Sequence, residues 1–115
     1  AWSFGNDVSQ PGDYAWYDTN AWNVGLRYAQ PVGTKKANPF DLFDMHGNVW
    51  EWCEDRFGAY SSEEVTDPNG PGSGDSRILR GGSWYNFDRI TRSAYRYRGS
   101  STDRAIHVGF RCVLR

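Results

Sequence analysis

Apolar and polar residues alternate in three short runs. In Val49-Trp50-Glu51-Trp52-Cys53 a strand would place both indoles on one face, because successive strand side chains point to opposite sides. In Tyr95-Arg96-Tyr97-Arg98 the rings would take one face and the guanidinium groups the other. In the last run Val108, Phe110, Cys112 and Leu114 would line one side of a closing strand. No apolar stripe of helical period extends over several turns, and Gly, Pro, Asn and Asp punctuate the whole chain. The pattern predicts an α+β chain with little helix and short strands joined by long loops. Residues 66–76, TDPNGPGSGDS, read as a turn-rich surface loop.

Composition changes what the core should be made of. The chain has 115 residues, the size of one small domain, so 1–115 is read as a single unit. It holds fourteen Ile, Leu and Val against nineteen Phe, Trp and Tyr. The core is therefore expected to be built on rings, each able to remove roughly 150–250 Å² from water. No apolar run approaches the roughly 20 residues of a membrane span, and the first residues lack the pattern of a signal peptide. A start at Ala1 in place of Met is what a fragment or a processed chain would show.

Charge is unevenly spread. From Arg77 onward nine Arg against two Asp leave +7, and residues 1–76 carry four basic and twelve acidic residues, or −8. The expectation is that the two halves pair across the fold. A nucleic-acid surface is disfavoured, because Lys is absent from the basic half and neutral and acidic residues interrupt its Arg series.

Candidate chemistry is sparse. Cys53 and Cys112 are too few for a disulfide framework, and each ends a strand-like run, so buried free thiols are expected. His46 and His107 lie in no metalloprotease or zinc spacing, and no nucleophile elbow or phosphate loop occurs. In the 66–76 loop Asp67, Asn69 and Ser73 offer oxygens, but Pro71 falls on a calcium-ligand position and Ile78 stands where a bidentate Glu belongs. A plain surface loop is the expectation there.

Several motifs occur in a fixed order: NPFDLFDMHGNVWEWCED, TDPNGP, RILRGGSW, RSAYRYR and VGFRC. Together with SFGNDVSQPGDYAWYDTNAW and PVGTKKANPF they resemble the sulfatase-modifying-factor family, whose founding member is the formylglycine-generating enzyme. The resemblance runs nearly end to end. It implies a C-type-lectin-like fold, loop-rich with small antiparallel sheets, of which this chain would be the C-terminal part. It also implies a structural calcium ion in DMHGNVWE, with carboxylates from Asp44 and Glu51 and backbone carbonyls from Gly47 and Val49. The alternative is that Asp44 caps the turn and Glu51 pairs with an Arg. The enzyme's chemistry needs two cysteines, one shortly after G-G-S-[YW] and one before R-Y-R. Here those places hold Asn86 and Ala94, which form no thiolate, so neither copper binding nor formylglycine chemistry is expected.

One compositional absence points elsewhere. Lys, Glu, Gln, Met and Trp fill 15 of the first 84 positions and none of the last 31. These five are the residues that a codon ending in a pyrimidine cannot encode. This resembles the variable proteins of diversity-generating retroelements, lectin-type chains whose last strands and loops are rewritten at adenines of Asn-type codons. The fixed frame would be GGSW, RSAYR and GFRC, with Trp84 and Tyr95 as buried anchors and the Arg residues tied to acidic partners. The varied positions, within 85–107, would be Tyr85, Asn86, Phe87, Ile90, Tyr97, Gly99, Ser100, Asp103, Ala105, Ile106 and His107. Tyr and Phe supply rigid contact area and Ser, Asn and Gly adaptable hydrogen bonds, the mixture of an antibody paratope. The expected function is a non-catalytic module that binds an exposed protein or other macromolecule, without nucleic acid or membrane insertion, at a cell or phage surface in preference to the cytoplasm. The rivals are an enzyme or enzyme-associated domain of the sulfatase-modifying class, and a purely structural domain. Oligomeric state is left open.

Overall fold

The computed structural model describes residues 1–64, 66 and 70–114. Regular structure is sparse. One helical turn, α1 (Pro11–Tyr14), opens on Pro11, whose fixed φ suits a first helical position. It runs into β1 (Ala15–Trp16), which pairs in parallel with β2 (His46–Gly47). The second sheet has the order β5-β4-β3-β6, from β3 (Trp50–Arg56), β4 (Ser76–Arg80), β5 (Tyr97–Ser100) and β6 (Val108–Gly109). β5, β4 and β3 are antiparallel neighbours, and β6 joins β3 in parallel, so the sheets are small but not purely antiparallel. No helix among the described residues is long and apolar enough to cross a membrane. Asp67 and Asn69 of the turn-rich loop lie outside the described residues.

Rings fill the core as the composition predicts. Trp2, Trp50 and Trp84 are buried with Ile78 and Leu79 of β4. The alternation within Tyr95–Arg98 holds. Tyr95 and Tyr97 face Trp50 at 6.1 and 5.6 Å between ring centroids, while Arg96 and Arg98 lie over Phe57 on the other side.

The kinked segment 41–48 is the hub. Asp41, Asp44 and Asn48 all adopt positive φ, a conformation that Asp and Asn tolerate better than other side-chain-bearing residues. The Asn48 amide accepts from the Gln30 N–H at 2.9 Å and donates to the Gln30 carbonyl at 3.1 Å. The Asn48 N–H donates to the Trp16 carbonyl, and its own carbonyl accepts from Trp84 N–H. Beside it His46 is buried, with Nδ1 2.7 Å from the Thr91 carbonyl and Nε2 2.9 Å from Ser3 Oγ. Burial pushes its pKa below the ordinary histidine value, partly opposed by the Thr91 carbonyl. This histidine is structural.

Four expectations need correction. The closing strand stops at Gly109, because β3 offers it partners only at Trp50 and Glu51; Phe110 and Leu114 are exposed. Tyr95 is 39% exposed and is no buried anchor, whereas Trp84 at 2% is one. Both cysteines are free thiols, but Cys112 is exposed. The charged halves pair little: among the described residues one ion pair, Arg111–Glu51, joins them. Six arginines of the basic half, Arg77, Arg80, Arg89, Arg92, Arg96 and Arg98, instead stack on rings or bond carbonyls, as Arg92 does over Trp2 and Arg80 to the Ser93 carbonyl.

Candidate functional site

The loop after Trp84, and β5 with the loop that follows it, carry the eleven candidate positions, and neighbouring backbone holds both segments. The Trp84 N–H donates to the Asn48 carbonyl at 2.8 Å, and the Trp50 N–H donates to the His107 carbonyl at 2.8 Å. Two residues of chain span at most about 7 Å, so the loops are pinned within that distance at one end. All eleven candidates are exposed or half-buried; none lies in the core.

The first loop follows Trp84. Tyr85 is 53% exposed and meets Trp22 edge-on at 4.9 Å, and Phe87 is 55% exposed beneath the Arg89 guanidinium. Ile90 is half-buried in a short 3-10 turn, Asp88–Thr91. Asn86 has a structural task. Its Oδ1 accepts from the Ser83 N–H and hydroxyl at 3.1 and 2.7 Å, and its carbonyl accepts from Asp18 N–H.

The second loop borders a cavity of about 250 Å³. Its floor is Trp50, Trp52 and Leu79, so the two indoles of the alternating run share a face as expected. Five of the candidates, Tyr97, Gly99, Asp103, Ala105 and His107, line it as well, together with Arg98, Arg104 and Val108. Ser100 and Ile106 are exposed on the same loop. Two of the five have further duties. Asp103 Oδ2 accepts from the Ser100 N–H at 2.9 Å and closes the turn after β5. A Cβ on Gly99 would sit 2.8 Å from the Trp52 ring, so glycine there is what keeps the indole uncovered.

The candidate calcium donors divide. Asp44 is buried; its Oδ2 accepts from Gly33 N–H at 2.8 Å, and its Oδ1 has no partner among the described residues. That atom fits a cation. Glu51 is already taken: Arg111 Nε and Nη2 each lie 2.7 Å from one of its oxygens. The same Nη2 donates to the Phe43 and Asp44 carbonyls, and the Glu51 contact holds the Arg111 pKa above its ordinary value. Gly47 packs on the Trp16 backbone, and Val49 lines a cavity of about 470 Å³ with Asp44, Asn48 and Glu51. Among the described residues no group of three or more His, Cys, Asp or Glu is placed to hold a metal.

Ala94 is exposed, and its carbonyl accepts the Tyr60 hydroxyl. Burial pushes the Cys53 thiol above its ordinary pKa, which keeps it protonated and a poor nucleophile at neutral pH. The alternative that Glu51 pairs with an Arg is the one found, with Arg111 sixty positions away as the partner, whereas sequence reasoning missed Trp22, whose ring supports Tyr85.

Loop-rich architecture, small mixed sheets and little helix define a C-type-lectin-like domain of the sulfatase-modifying type. The chain belongs to the sulfatase-modifying factor enzyme 1-like domain family, whose model matches residues 1–115. The solved structure of Treponema denticola variable protein 1 superimposes with a TM-score of 0.82 at 34% identity, over 92% of this chain and 37% of that one. The formylglycine-generating enzyme of Streptomyces coelicolor is 39% identical over 88 residues, covering 72% of this chain and 28% of the enzyme. The serine/threonine-protein kinase pkn1 of Chlamydia caviae is 43% identical over 87 residues, covering 72% of this chain and 14% of the kinase. The chain thus spans less than a third of the length of these curated relatives.

Proposed function

We propose that this domain is a non-catalytic binding module that displays a varied surface on a fixed lectin-type frame. One observation carries the reading: all eleven candidate positions reach solvent, while Gly82, Ser83 and Trp84, the part of the frame that leads into the first loop, are buried. The ligand is an exposed macromolecule, since loops with protruding Tyr85, Phe87 and Ile106 suit contact with another surface. The likeness to Treponema denticola variable protein 1 supports the same reading and agrees with diversification of these positions by a retroelement. A cell or phage surface is the setting that such a module would serve.

The test replaces Tyr85, Phe87, Tyr97 and His107 together by alanine. The change removes three ring–ring contacts, and because each is partly solvated it lies at the low end of the usual range, about 0.5 kcal/mol. The melting temperature should fall by less than about 10 °C, with near-UV circular dichroism retained. A collapsed variant would show that these side chains belong to the core and would end the binding reading. A formylglycine-generating activity in the parent chain that persists in the variant would favour the enzyme class.

Calcium remains part of the proposal through Asp44 Oδ1. Glu51 can join a calcium site only by leaving Arg111. Adding calcium to chelator-treated protein should then raise the melting temperature with ion concentration, by mass action. A melting curve indifferent to millimolar calcium would leave Arg111 as the cation of this segment.

A further inference from the structure

The back of the four-stranded sheet carries a separate cationic cavity. Along β4 Leu79 floors the front cavity, and its neighbour Ile78 lines the one behind, of about 680 Å³. That volume lies in the range of small-molecule sites, roughly 300–1,000 Å³. Arg56, Arg80 and Arg96 line it, with Tyr60 between them and Asp55 as the carboxylate among its described residues.

Rings and carbonyls, not carboxylates, set the arginines in place. The Arg96 guanidinium lies 3.5 Å from the Tyr60 ring centroid, and Phe57 supports it from 5.1 Å. Arg80 Nη2 is 3.4 Å from the Tyr60 hydroxyl, and its Nη1 donates to the Ser93 carbonyl at 2.8 Å. Arg56 Nη1 donates to the Gly72 carbonyl. None of the three joins either ion pair found among the described residues. Two cations thus share one phenol, Arg96 over its face and Arg80 at its hydroxyl. Like charges this close repel, and an anion shared between them relieves the repulsion. A stacked guanidinium keeps its in-plane N–H donors free for the forked contact that a phosphate accepts.

We propose that this cavity binds the phosphate group of a small organic phosphate. Arg80 and Arg96 hold the oxygens, Arg56 adds charge from the side, and Ala59, Ile78 and Pro71 give an apolar wall for the organic part. The site lies apart from the varied loops, because Ile78 and Leu79 face opposite sides of the sheet, with Tyr97 on Trp50 in front and Arg96 on Tyr60 behind.

The full chain is titrated with glucose 6-phosphate, inorganic phosphate and glucose, and the arginine Nε–Hε resonances are followed by NMR. Salt is held at about 0.1 M to screen diffuse attraction. Glucose 6-phosphate should give saturable shifts at Arg80 and Arg96, inorganic phosphate weaker ones, and glucose none. Arg96→Gln should weaken the ester's binding about tenfold, since a charge-assisted contact is removed. Arg56→Gln serves as a second variant and should weaken it less. Shifts that never saturate, or that spread equally to the exposed Arg89 and Arg104, would overturn the proposal. So would an affinity unchanged in both variants. Equal affinity for inorganic phosphate and the ester would overturn the apolar wall's part in it.

Discussion

Replacing Gly47 by alanine should lower the melting temperature by about 10–25 °C, the largest loss of any single change in the hub. Gly47 sits in β2 with φ +76°, and its missing side chain faces the Trp16 backbone in β1. An added Cβ would press on the Trp16 carbonyl oxygen and lie 2.9 Å from its carbon and 3.0 Å from its nitrogen. Backbone cannot rotate away as a side-chain tip can. The left-handed conformation costs alanine about 1–2 kcal/mol, and forced overpacking adds about 1–3. Relief by separating β1 from β2 would break the Asn48–Trp16 hydrogen bond beside it and move the hub that both loops hang from. The sum, about 2–5 kcal/mol, is a large share of the stability of about 5–15 kcal/mol usual for a domain. Thermal melting and near-UV circular dichroism would read it. Gly25→Ala is the control, because Gly25 has φ +89° and nothing within 4 Å of the added Cβ. It should lose only the conformational part, about 1–2 kcal/mol. Equal losses in the two variants would show that the contact with Trp16 is immaterial.

Local periodicity was legible wherever two neighbours already supplied the partners. The indoles at 50 and 52 and the split of rings from guanidinium groups over 95–98 both follow from alternation alone, and β3–β4–β5 pairing realises them. The same alternation over 108–114 misled, because apolar spacing says that a strand could form and not whether another edge is there to receive it. Only Val108 and Gly109 find one. Arginine is the second lesson. A block of nine Arg facing an acidic half reads as ion pairs, yet stacking on Trp2, Phe57, Tyr60 and Phe87 uses the flat face of guanidinium without a carboxylate. In a chain with nineteen aromatic residues that outcome competes well.

The candidate surface was legible as a set of positions but not as a division of labour. A missing set of residue types marked 85–107 as unusual without saying which side chains hold the loops and which face outward. Asn86 and Asp103 close turns through backbone N–H groups, and Gly99 keeps a ring uncovered. Such roles depend on atoms two to three residues away or across a strand, and composition does not register them. The proposed varied face is therefore narrower than eleven positions: Tyr85, Phe87, Ile90, Tyr97, Ala105, Ile106 and His107 are the members whose side chains make no hydrogen bond among those described.

Asn48→Ala should cost about 3 kcal/mol, the second-largest loss of any single change in the hub. Two side-chain hydrogen bonds to the Gln30 backbone disappear, each worth about 1 kcal/mol, and alanine at φ +66° adds about 1 more. The melting temperature should fall by about 12–18 °C. Asn48→Gly separates the causes, because glycine accepts the positive φ without strain but still lacks the amide. It should lose about 2 kcal/mol, and a glycine variant as stable as the parent would mean that Gln30 needs no amide to hold it. The functional consequence lies one bond away. The Asn48 carbonyl anchors Trp84 and the next strand residue but one, Trp50, anchors His107, so a loosened Asn48 frees both ends of the candidate surface. Amide exchange at Trp84 should accelerate in both variants, and more in the alanine variant, where the backbone at residue 48 is driven out of the left-handed region. A surface that changes its side chains can keep its shape only if the residue beneath it does not.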